Sequence, residues 1–92
     1  MKEFLTEMIG NIYKILPLND ENNIGTLSYI ESIAIQLTGS LETFPELKNN
    51  QKYISIINSI NYLSKNNFTK NQCRREILRS TNILQHIIED WR

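Results

Sequence analysis

The chain has 92 residues, 40% of them hydrophobic and 22% charged, with ten basic and ten acidic side chains and a formal net charge of zero. That length bounds it to one domain with a single modest core. One Cys and one His exclude a disulfide framework and an ordinary structural zinc site, and no apolar run reaches the length of a membrane span.

Residues 3–16 place Leu5, Met8, Ile12, Ile15 and Leu16 on one helical face, flanked by Phe4 and Ile9. Pro17 is expected to end this helix, because the residue before a proline is disfavoured in the helical region. Residues 17–23 then read as a loop in which Asp20, Asn22 or Asn23 would cap the next helix. Over 23–42, Ile24, Leu27, Ile30, Ile33, Ala34, Leu37 and Leu41 keep helical spacing. A short alternation at Ile33, Ile35 and Leu37 competes as a strand signal, and the longer helical run outweighs it. Heavy use of Ile, Asn and Lys reads as an AT-rich genome, which discounts the β-branched residues further.

Thr43 followed by Glu46 has the spacing of a capping box, with Pro45 in a first turn, and predicts a third helix over 45–65. Its apolar sector of Leu47, Tyr53, Ile54, Ile56, Ile57, Ile60 and Leu63 is broad, as for a helix buried on more than one side. Asn66 and Asn67 would close it in the left-handed conformation. The stretch FPELKNNQKY resembles one found in the helical LemA family; no counterpart of that family's N-terminal membrane segment is expected in these 92 residues, and no function is carried over.

The last helix, 70–91, opens on a second capping box, Thr69 with Gln72, and a staple of Phe68 on Cys73. Cys73, Ile77, Leu84, Ile88 and Trp91 form its apolar stripe, widened by Ile83 and Ile87. Cys73 reads as a small buried hydrophobe. On the other face Arg75, Arg79, Asn82, His86 and Glu89 step by 4, 3, 4 and 3 and so form one polar row, with Arg74 beside it. Four helices with short connections predict an all-α, antiparallel four-helix bundle. If the short first helix leaves the core uncovered, a homodimer is expected.

Arg79 and His86, with six residues between them, resemble the R-x(4–6)-H signature of HEPN-type ribonucleases, which are small helical bundles. The resemblance covers two residues, with Ser80 in the place of the polar residue that often follows the Arg. It implies that this Arg and His act on a phosphodiester, usually across a dimer interface. Against that, the chain has no Gly-rich phosphate loop, no G-x-S-x-G elbow and no di-iron carboxylate set. No aromatic is interleaved with the basic run as an RNA-stacking platform would need.

Residues 1–50 carry three lysines against seven acids, a net of −4, and residues 51–92 carry seven basic residues against three acids, a net of +4. Either the halves neutralise each other inside the fold or the basic face meets an acidic partner. The expectation is a non-enzymatic, cytoplasmic protein-binding module without catalytic residues, metal or cofactor. It would be an accessory subunit, inhibitor, or immunity- or antitoxin-type factor of a bacterium or phage. Its contact surface would be Arg74, Arg75, Arg79, Asn82 and His86, and its partner a protein with an acidic surface. The alternative is a module that binds or cleaves nucleic acid with the same face.

Overall fold

The computed structural model describes residues 1–22 and 24–90. Among them there is no strand: the chain forms helices α1 (Lys2–Tyr13), α2 (Ile15–Asp20), α3 (Thr26–Thr43), α4 (Gln51–Lys65) and α5 (Lys70–Asp90), with a 3-10 turn at Pro45–Asn49 before α4. It is an all-α bundle. Asn23 and Trp91, expected as a cap and at the end of the last apolar stripe, lie outside the described residues.

The long helices form a four-cornered ring. α3 packs on α4, α4 on α5, α5 on α1 and α1 on α3, while the short α2 bridges α5 and α3. Leu5, Met8, Ile12 and Ile15 from α1 and α2 meet Ile30, Ile33 and Leu37 of α3, Ile56, Ile60 and Leu63 of α4, and Ile77 and Leu84 of α5 in one buried core. Ile57 and Ile88, which the helical phasing also assigns to the core, are buried with them. Tyr53 is fully buried, and its hydroxyl shares a hydrogen bond with that of Ser40, so the polar atom is satisfied across the α3–α4 contact. Ring contact between Phe4 and Phe44, with centroids 5.6 Å apart, ties the start of α1 to the end of α3.

Pro17 does not end the first helix; it breaks it earlier. α1 stops at Tyr13 because Pro17 has no N–H to return to that carbonyl and its ring crowds it. Pro17 then sits in the first turn of α2, where an N–H is not required, and the segment expected to be a loop stays helical to Asp20. Asn22 follows with φ 52°, the left-handed region that Asn tolerates. α3 begins later than expected. Its cap is Gly25, with no side-chain cap bond, rather than Asp20 or Asn22, and Ile24 is fully exposed instead of joining the core stripe.

The Thr43–Glu46 box does not form. Thr43 is the last residue of α3, and buried Leu47 draws Pro45–Asn49 against α3 and α4 as a 3-10 turn. The cap of α4 is Asn50, whose Oδ1 accepts from the Tyr53 N–H at 3.1 Å. Asn66 is extended rather than left-handed; it closes α4 with its side chain, Nδ2 donating to the Tyr62 carbonyl at 3.0 Å. The Thr69–Gln72 box does form in both directions. Gln72 N–H donates to Thr69 Oγ1 at 3.1 Å, and Thr69 N–H to Gln72 Oε1 at 2.9 Å. Phe68 packs against the core beside it.

Candidate functional site

The capping box sets where α5 starts, and its apolar stripe sets which way it faces. With Cys73, Ile77, Leu84, Ile87 and Ile88 buried, Arg74, Arg75, Arg79, Asn82 and His86 are all on the exposed side. The structure divides these five residues into different environments.

Arg74 turns toward α2. Its Nη2 lies 3.3 Å from Asp20 Oδ2, with both side chains about half exposed, and Lys70 Nζ donates to the Asp20 carbonyl at 3.1 Å. Here an acid from the acidic half of the chain answers the basic half. The pair is open to water, so its contribution is small, about 0–1 kcal/mol.

Arg79 turns the other way, toward α4. Its Nη1 donates to Ser55 Oγ at 3.2 Å, its Nη2 donates to Ser59 Oγ, and its Nε lies 3.5 Å from Glu76 Oε2 on its own helix. The planar guanidinium is thereby held in one orientation against α4. Arg75, one turn earlier, is exposed and takes part in no hydrogen bond or ion pair among the described residues.

Arg75 and Arg79 line an open groove of about 480 Å³ between α4 and α5. Ser55, Asn58, Ser59 and Tyr62 of α4 form one wall, and Gln72 and Glu76 complete the α5 wall. The groove thus presents a free guanidinium, a fixed one, hydroxyls and amides able to donate, and a half-exposed tyrosine. Such a set suits an anionic group such as a carboxylate or phosphate.

Asn82 and His86 are exposed but do not line this groove, so the row expected as one surface is brought together only over its first half. Ser80 is fully buried and its Oγ has no hydrogen-bond partner, so it faces the core and not the Arg79 side chain. Sequence reasoning misses the α4 residues, although a signal for them exists. Ser55, Ser59 and Tyr62 recur at four and three residues, so they share one face of α4 beside its apolar sector. Tyr62 brings the basic face an aromatic neighbour that its own helix lacks.

Cys73 is buried and its thiol is pushed up to about 11, first by burial and then by the nearby Asp20 carboxylate, with Arg74 opposing. It is inert as a nucleophile at neutral pH. No cluster of three or more His, Cys, Asp or Glu side chains suited to a metal occurs among the described residues, and none of their helices is long and apolar enough to cross a membrane. Compared with known proteins, the chain matches no family model, no curated protein and no solved structure.

Proposed function

We propose that this protein is a non-enzymatic helical binding module whose α4–α5 groove receives an acidic segment of a partner protein. The observation that supports this reading most is Arg75. Its neighbours Arg74 and Arg79 have partners inside the fold, whereas Arg75 stands exposed and unpaired among the described residues at the rim of a groove rich in donors. Like charges at i and i+4, here Arg75 and Arg79, mildly destabilise a helix, and an external carboxylate offsets that cost. Arg79 is already oriented, so little side-chain freedom is lost when it binds. In this reading the protein acts in the cytoplasm as an accessory subunit, an inhibitor, or an immunity- or antitoxin-type factor of a bacterium or phage.

A second reading is nucleic-acid binding, favoured by Tyr62, whose half-exposed ring lies in the same groove as both arginines. The HEPN-like reading draws less support, since His86 lies outside the groove that holds Arg79. Titration with a glutamate-rich peptide and with a single-stranded oligonucleotide, each over a range of salt, separates the two. The proposal expects peptide binding that Arg75→Glu abolishes while the circular dichroism spectrum is unchanged. Oligonucleotide binding with a steep salt dependence and no peptide binding would replace it with the second reading.

A further inference from the structure

On the reading that the α4–α5 groove receives an acidic segment, we infer that Glu76 sets the groove's affinity. Its carboxylate stands on Arg79 where the partner's carboxylate would bind, and the partner reaches this arginine only by displacing it.

A carboxylate grips a guanidinium best through two parallel N–H···O bonds, which take two of its nitrogens at once. On Arg79 all three nitrogens are engaged. Nη1 donates to Ser55 Oγ, Nη2 donates to Ser59 Oγ, and Nε faces Glu76 Oε2 at 3.5 Å. Arg75 has no such partner among the described residues, so the two arginines of the groove are unequal: Arg75 is open and Arg79 is masked. Glu76 lines the same groove and is its one acid among the described residues, which leaves one net positive charge where the arginines alone would give two.

The three holds on Arg79 differ in strength. The Glu76 contact is the loosest: 3.5 Å exceeds the about 2.7–2.9 Å of a tight charge-assisted hydrogen bond. The Arg79 and Glu76 side chains are 45% and 29% exposed, and they sit at i and i+3 of one helix, where ion pairs are weak. The two serines belong to α4 and hold the guanidinium from the other wall. If Glu76 swings away, Arg79 therefore stays in place, with its Nε edge open to an incoming carboxylate. Exchange of one carboxylate for another leaves the guanidinium paired throughout, so neither charge is stranded in the groove.

Calorimetric titration of the full chain with a glutamate-rich peptide, at low and at high salt, tests this. Glu76→Gln keeps the side chain's size and an oxygen for Nε to donate to, so its helical spectrum and melting midpoint are expected to stay near wild type. It is expected to bind the peptide about two- to fivefold more tightly at low salt, the range of one half-exposed ion pair, with a smaller gain at high salt. Adding Arg79→Ala is expected to erase that gain, because the group that Glu76 masks is then gone. Glu89→Gln removes an acid of the same helix outside the groove and is expected to give no gain. A wild-type chain that binds while Glu76→Gln binds no better overturns this role of Glu76 and leaves the groove reading standing. A gain that persists with Arg79→Ala, or that Glu89→Gln reproduces, reduces Glu76 to background charge and overturns it as well. Failure of both wild type and Glu76→Gln to bind the peptide overturns the groove reading itself and this role with it.

Discussion

The two flanks of α5 handle the same kind of charge in opposite ways. On the flank facing α2, Arg74 and Lys70 converge on Asp20, so basic residues from the second half of the chain meet an acid from the first. On the flank facing α4, Arg79 is held by two serine hydroxyls and by Glu76 of its own helix, and Arg75 is left over. The opposite net charges of the two halves are therefore matched locally at one end of α5, not along its length. Density of charge on a helix face does not by itself identify a contact surface: on α5 the crowded arginines differ in whether they have an internal partner.

Three measurements break or sharpen that contrast. The largest effect comes from removing what both flanks stand on. Leu84 and Ile77 are fully buried under α5, and truncating either to Ala is expected to cost about 2–5 kcal/mol in urea unfolding. That is a large share of the stability of a domain this small. An unchanged midpoint in both variants would mean that α5 is held by its polar contacts instead.

The second effect is specific to the Asp20 flank. Burial and Asp20 raise the Cys73 thiol from 9.0 to about 11, so the unfolded chain gives up this proton at lower pH than the folded one. The thiol's contribution to stability is thus complete below pH 9.0 and is lost as pH rises from there to about 11. Thermal midpoints are expected to fall across that window and to fall less in Cys73→Ala. Burial also raises Tyr53 and Tyr29 above 10.0, so both add to the loss of stability as pH rises past 10.0 in either protein. Identical pH profiles for the two proteins would remove Cys73 from the account.

The smallest effects rank the three arginines. Arg79→Ala leaves Ser55 and Ser59 without their donor and is expected to cost about 1 kcal/mol. Arg74→Ala loses a half-exposed ion pair, is expected to cost less than about 1 kcal/mol, and should cost less still at high salt. Arg75→Ala should lie within about 0.5 kcal/mol of wild type, because it breaks no internal bond. If Arg75→Ala proved the most destabilising of the three, the free charge on the α4 flank would be structural after all.

The two capping boxes explain how far local sequence can be trusted. Thr69 and Gln72 form theirs because nothing else competes for that stretch: both residues are exposed, and their bonds lie within a single turn. Thr43 and Glu46 have the same spacing, but Leu47 is drawn into the core, which folds Pro45–Asn49 into a 3-10 turn and leaves Asn50 to cap α4. Pro17 shows a related limit. Its effect is expected at its own position, yet a proline disturbs the carbonyl four residues before it, so the break falls at Tyr13. For the candidate site, the exposure of Arg74, Arg75, Arg79, Asn82 and His86 follows from the phase of α5, while their different partners do not.

Helical periodicity depends only on residues a few positions apart, so the long helices and most of the faces they bury could be read from the chain alone, whereas most of α2 reads as a loop and Ile24 and Leu27 of the expected α3 stripe are exposed. That logic places Leu5, Leu37, Ile57, Ile60, Ile77 and Leu84 in the core, and all six are buried. Which polar groups on the opposite faces remain free is decided by the tertiary structure. Arg74, Arg75 and Arg79 are the same residue type within two turns of one helix. Only the arrival of α2 on one side and α4 on the other gives Arg74 its Asp20 and Arg79 its two serines. These partners lie 20 to 54 residues away along the chain. No local pattern encodes contacts at that separation, because they depend on how the helices pack and not on how each one forms.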